Sequence, residues 1–336
     1  MVTNPLRRCG LAFAGAWAAS MLGACADGSV AVLARQPGSE GGALLTPWLS
    51  LNGGWAVDPK DPLRRAPGGG QRVNFVQPCG VAARGMVLLV ADAGARMLWR
   101  LDRAQDTLTA LLPFTGGVPD HGASLQLGDD LSAWVALPAE HAVVQLDPRG
   151  RVVRRFRDEA NAARPVAVAL PDARGDVLVG DAATAQVVVF DPLGRARRLF
   201  GSAAGNTLQS IAAMSLGPLG LYVLDRVAQQ VVVFGPRAEV IELIGENQLV
   251  RPRALAVDRS GRVFVSDDVD QRIRVFRGGR LLASFGGMGP GPGRFGRIEA
   301  MAVDGNLLYV ADSLNARVQV LLIAPPSMER LPAAGR

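Results

Sequence analysis

Side chains able to do chemistry are sparse in this chain. It carries two histidines, His121 and His141, and three cysteines, Cys9, Cys25 and Cys79. Structural zinc sites draw on several Cys and His at short spacing, and no such spacing occurs here. Nor is there a Gly-x-Ser-x-Gly elbow, a His-Glu-x-x-His pair or a phosphate-binding loop. Cys79 lies between Pro78 and Gly80 at the head of an apolar run, where a buried, inert thiol is a simpler reading than a nucleophile. What remains is a set of arginines, carboxylates and amides in short polar stretches. It comprises Arg96, Asp120 with His121, Asp158 with Asn161, Asn206, Arg251, Asp268 with Asp270, Arg294, and Asn315 with Arg317. Such a mixture suits contacts to a peptide, a glycan or another polar ligand, and the bland alternative is an ordinary solvated rim. Calcium takes six or more oxygens, and no spacing singles out a set for it. The expectation is a binding surface with no catalytic residue, no metal and no cofactor.

The elements that must position these residues show up as an internal repeat. Apolar runs ending in Asp recur at Asp181, Asp225, Asp267 and Asp312, in steps of 44, 42 and 45 residues. Asp92 stands 89 residues before Asp181, which leaves room for one more unit. That unit, near residues 134–147, is a worn copy with Leu137 in place of the aspartate. A period in the forties with several short strands per unit marks a propeller blade. In the unit at 253–285, residues 253–258 alternate as a channel-lining strand and 263–266 form a nearly continuous apolar strand. A strand at 272–276 alternates again, and 281–285 forms the outer strand. Composition agrees, since 40 Gly and 22 Pro suit many tight turns better than long helices.

The expected fold class is all-β, a six-bladed β-propeller of four-stranded antiparallel blades. The sixth unit has no outer strand of its own, because Pro325 and Pro326 stop it. An N-terminal strand at residues 72–76 is expected to complete the last blade and close the ring, which removes exposed sheet edges. The repeated aspartates are expected to accept N–H groups of their own turns rather than to contact ligand.

The pattern of apolar strand, Val-Ala-Asp, short loop and Asn-x-Arg-Val-Gln-Val over residues 308–321 resembles the NHL repeat, with Asp312, Asn315, Arg317 and Gln319 as its best-matching positions. The Gly-rich loop at 285–295 is similar to the loop joining NHL blades, and the resemblance covers residues 72–323. The histidine that helps name the family is missing from every unit. The resemblance implies a propeller that binds partners. The peptide-amidating lyases of this architecture use several zinc-bound histidines, and lactonase-like propellers use a Glu–Asn–Asp calcium set. His121 and His141 do not supply the first set, and no spacing marks the second. A metal-dependent (Ca or Zn) lyase or hydrolase therefore stands as the alternative to a binding module.

The first 25 residues resemble a bacterial lipoprotein leader. Arg7 and Arg8 precede an apolar run at 10–22, too short for a membrane span, which ends in Leu22-Gly23-Ala24-Cys25. The resemblance implies cleavage before Cys25 and lipid attachment to its sulfur, against a rival cleavage after Ala26. Residues 26–70, rich in Gly and Pro, read as a flexible tether, 71–323 as the propeller and 324–336 as a tail. Trp48 and Trp55 are out of place in such a tether and suggest a cap or a docked segment. With Ala26 after the cysteine, the outer membrane is favoured over the inner. The net charge of +6 is almost all arginine, interleaved with Asp, and Lys60 is the one lysine. Export removes nucleic acid from the partners, leaving an envelope protein or polymer as the ligand of a monomeric domain.

Overall fold

A computed structural model describes residues 31–32, 43–57, 71–116, 122–170, 175–201 and 208–326. The leader, Cys25, Asp120, His121 and Asn206 lie outside the described residues. Six antiparallel four-strand units follow one another along the chain. Their first strands stand side by side around a central channel: Pro78–Arg84, Leu125–Leu127, Pro165–Ala169, Ala213–Gly217, Pro252–Val257 and Ile298–Asp304. The ring closes where the last of these meets the first. The fold is the expected six-bladed propeller.

Each blade's second strand is sandwiched between neighbouring blades, so it must be apolar on both faces. Val87–Asp92, Val177–Asp181 and Val263–Asp267 are buried along their whole length. The outermost strands, such as Val152–Phe156 and Ala196–Phe200, are mostly exposed and carry arginines. Alternation of side chains sends successive residues of a strand into opposite seams. Leu89 and Ala91 pack with blade two, whereas Leu88 and Val90 pack with blade six. The core is thus a cycle of hydrophobic clusters, one per seam, with no single centre.

The closing strand is not the expected one. Leu45–Leu51 pairs antiparallel with Arg317–Ile323 and supplies the fourth strand of blade six, and Ala31–Val32 adds a fifth. Arg72–Asn74 instead pairs with Gly53–Ala56, which lies parallel against Thr107–Pro113 of blade one. Geometry explains the difference. Outer and channel strands are three strand spacings apart, about 14 Å. From residue 76 to Pro78 the chain takes two steps, about 7 Å, so residues 72–76 cannot end an outer strand and still reach the channel. Leu45–Leu51 is also the better filler, since Leu45, Leu49 and Leu51 are all buried, with a bulge between Pro47 and Leu49. Gly293, at φ +68°, lets the Gly-rich loop approach Pro47, where a Cβ would meet the proline ring at 3.0 Å. The stretch read as a 26–70 tether therefore contains three strands of the propeller sheets, and Trp48 and Trp55 belong to the last two.

Removing residues 1–70 should abolish cooperative folding or lower Tm by more than 10 °C, while a chain beginning at residue 43 should melt like the full chain. Circular dichroism melting of the two truncations checks this, and equal melting would contradict the Leu45–Leu51 closure.

Candidate functional site at the channel mouth

Loops between the second and third strands, and loops joining one blade to the next, share one face of the ring. The repeated aspartates tie these two loop sets together. Asp92 accepts N–H bonds from Val76 and Gln77 of the incoming loop, at 2.8 and 2.9 Å, and from Ala95 of its own turn at 3.0 Å. Asp267 does the same with Val250, Arg251 and Val269, at 2.8, 3.2 and 3.1 Å. Asp181 and Asp225 repeat the arrangement, and Asp312 holds the incoming N–H groups of Gly296 and Arg297 while its own turn reaches it through the Asn315 side chain; all three are fully buried. Three or more donors per carboxylate offset the cost of burying it. The aspartates are structural, as the sequence suggested.

Most of the described candidate residues are engaged in the same way. Arg96 donates to the carbonyls of Phe114 and Thr115, and Asp158 holds the side chain and N–H of Asn161. Asp270 pairs with Arg274, and the Arg294 guanidinium reaches the Gly286 carbonyl. Asn315 and Arg317 both bond Asp312 and reach across to the Gly289 and Gly291 carbonyls, pinning the Gly-rich loop. Of the sequence candidates, Arg251 and Asp268 come together at the channel mouth.

There they meet residues that sequence reasoning passed over. Counting from the strand pairings, one ring position opens every channel strand and holds Cys79, Ala123, Val166, Ala212, Arg253 and Glu299. Arg253 is 5% exposed. Its Nε lies 2.7 Å from both oxygens of Asp268, and its Nη1 is 2.8 Å from Glu299. Arg297 reaches the other Glu299 oxygen at 3.1 Å, and Arg226 stands 3.8 Å from Asp268. The result is an alternating chain, Arg226–Asp268–Arg253–Glu299–Arg297, across blades four to six. Arginine outnumbers carboxylate in it, and Arg251 adds another cation. Burial and then the nearby Arg253 pull the Arg226 guanidinium below its ordinary value; Asp268 opposes this, while Arg251 and Arg297 add to it. Aligning the six blades position by position would have exposed the Arg253–Glu299 pair, because its ring neighbours are small or apolar.

Arg253 and Glu299 line the narrow end of the channel, a space of about 50 Å³ walled by Val81, Ala123, Val166 and Met214. The channel widens to about 250 Å³ toward the opposite face, beside Arg84, Arg259 and Asp304. Burial, together with the Glu299 carboxylate, pushes the Cys79 thiol up to about 12. A thiol held protonated is a poor nucleophile. Among the described residues no three His, Cys, Asp or Glu converge as a metal-type cluster.

Removing one partner from a buried ion pair strands the other, at about 3–5 kcal/mol. Glu299→Ala should therefore cost about 3 kcal/mol or more in denaturant unfolding, whereas an exposed pair is worth at most about 1 kcal/mol. Asp129→Ala, whose side chain is 94% exposed opposite Arg84, serves as that control, and equal losses would contradict a desolvated network. Cys79 should resist Ellman's reagent at about pH 8 in the folded protein and react on unfolding. An unfolded thiol loses its proton above about 8.5 while the folded one keeps it to about 12, so stability should fall with rising pH across that window. The fall should be shallower in Cys79→Ala, as pH-dependent denaturation will show.

No protein-family model and no curated protein matches the sequence. Solved structures match in shape. Virginiamycin B lyase from Staphylococcus aureus aligns with a TM-score of 0.55 at 11% identity, covering 74% of this chain and 96% of that one. A streptogramin B lyase structure gives 0.54 at 12% identity, over 76% of this chain and 86% of that one. A protein of unknown function from Bacteroides thetaiotaomicron gives 0.57 at 14% identity, over 74% and 70%. At these identities the shared property is the fold: the chain is a six-bladed β-propeller similar in architecture to these proteins.

Proposed function

We propose that this protein is a lipid-anchored, non-enzymatic binding or assembly module of the bacterial cell envelope, which presents its loop face to a protein or envelope polymer. The observation that carries the reading is an arc of exposed apolar side chains on that face, over blades four, five, six and one. Val76, Val227, Val250, Val269, Met288 and Leu314 are 49–65% exposed. They sit on braced loops, since the N–H groups of Val76, Val227, Val250 and Val269 all bond to turn aspartates. Large apolar side chains held rigidly in water around a polar centre favour a partner that covers them. The blades are read as degenerate NHL-type repeats, on the pattern at 308–321.

The anchor rests on Leu22-Gly23-Ala24-Cys25. With an acylated Cys25, the periplasmic side of the outer membrane is the favoured location. The chain reaches Ala31 in six steps, so blade six would sit within about 20 Å of the lipid. That holds the propeller near the membrane, edge toward it, where a 45-residue tether would have let it range.

A second reading is a metal-dependent propeller lyase or hydrolase. The fold likeness to two lyases and the buried Glu299 at the channel mouth favour it. Stoichiometric zinc or calcium in the purified protein, lost with Glu299→Gln, would support it over a pure scaffold.

A photo-crosslinking residue at Val227, Val250 or Val269 should capture a discrete partner in cells, and one at Met86 or Leu219 on the opposite face should not. Equal capture from both faces, or none from the loop face, would overturn the binding reading. Palmitate should label the wild-type protein and not Cys25→Ala; an unlabelled wild type would remove the anchor.

A further inference from the structure

We propose that the channel mouth is a receptor for a free carboxylate at the apolar C-terminal end of a peptide chain. The inference rests on the binding reading above and names what the centre of that face recognises.

Guanidinium capacity at the mouth is left over after the internal pairs are made. Arg253 spends Nε on Asp268 and Nη1 on Glu299, and its side chain, almost wholly buried, lines the narrow cavity. Arg297 commits Nε alone to Glu299, and Arg226 reaches Asp268 no closer than 3.8 Å. The Arg251 side chain is exposed, with its backbone N–H fixed on Asp267. Among the described residues, four arginines thus stand around two carboxylates, in a place partly shielded from water. Such forks fit a carboxylate bidentately, and low local dielectric strengthens the contact.

Size and surroundings narrow the class. The narrow end of the channel, beside Arg253 and Glu299, has room for a carboxylate. The loops bearing Arg226, Arg251 and Asp268 each carry an exposed apolar neighbour, Val227, Val250 and Val269 in turn. A carboxylate entering the mouth would bring the side chain on its α-carbon against these valines. The apolar contacts are separate points around the rim, which suits the side chains of a peptide end better than the continuous tail of a fatty acid.

The test uses the full mature chain in detergent and isothermal titration at low salt. The probes are N-acetyl-Ala-Leu with a free carboxylate, its C-terminal amide, decanoate and inorganic phosphate. The acid should bind at least tenfold more tightly than the amide, and more tightly than phosphate or decanoate. Arg226→Gln, at a partly exposed position, and Arg251→Gln, at an exposed one, should each weaken the acid severalfold, bring acid and amide together, and leave the melting temperature nearly unchanged. Acid and amide binding alike, no acid binding, or variants that bind as wild type would overturn the proposal. Phosphate binding as tightly as the acid would make the site a general anion reader, and decanoate doing so would make it a fatty-acid site; either result removes the peptide assignment. Loop-face crosslinks that persist while the acid fails to bind would leave the binding reading standing without this one.

Discussion

The structure depends on a buried carboxylate shared between two loops. In five blades an aspartate at the end of the second strand accepts N–H groups from the loop arriving from the previous blade and donors from the turn that follows it, backbone N–H groups in four of them and the Asn315 side chain at Asp312. A propeller has no central core to fix the angle between blades, so each seam must be set locally. The aspartate does this by joining the end of one sheet to the entry of the chain from its neighbour. The turn it stabilises ends in a left-handed residue in every blade: Arg96, His141, Ala185, Gln229, Gln271 and Ala316, with φ between 51° and 56°. None is glycine, so each turn carries a small conformational cost that its hydrogen bonds must offset. Blade two lacks the aspartate and compensates with other contacts. Pro138–Glu140 forms a tight turn, His141 Nδ1 contacts the Ala163 carbonyl of the next inter-blade loop, and Glu140 pairs with Arg155.

Once the repeat has braced its loops, what distinguishes the protein is where the repeat is broken. Polar residues chosen because they lie in loops turn out to serve the bracing. Asn315 and Arg317 spend their donors on Asp312 and the Gly-rich loop, and Arg96 spends its own on the loop into blade two. The channel mouth behaves differently. Its charges sit at a position that the other four blades fill with Cys79, Ala123, Val166 and Ala212.

The ring itself was legible from sequence because propeller blades repeat their chemistry. A buried strand ending in aspartate recurs at a nearly fixed step, and each copy confirms the others. The closing strand was not legible for the opposite reason. Leu45–Leu51 has no copy elsewhere, and its Pro47 and flanking glycines look like linker. Only the radial distance between outer and channel strands, a property of the assembled ring, disqualifies residues 72–76. The channel mouth was half legible. Asp268 and Arg251 stand out as loop residues, but Arg253 and Glu299 hide inside strands of otherwise apolar alternation. Their pairing joins side chains 46 residues apart, which is one blade and therefore invisible in a local reading.

The buried charge chain is not what folding alone would select. Well-packed apolar side chains of similar volume hold a protein interior at least as well as a buried ion pair, because desolvating charges costs several kcal/mol per ion. Four blades of this ring place a small or apolar side chain at the same position. Blades five and six instead bury an arginine between two carboxylates, then surround the group with three more arginines on the face where apolar side chains are exposed. A fully neutralised pair would fit a purely structural role. Among the described residues, the excess of guanidinium leaves the mouth electropositive, next to a cavity with room for a small anionic group. The arrangement approaches electrical balance when an acceptor arrives from outside, so the physical cost of these charges is better understood as part of a binding event than as part of the fold.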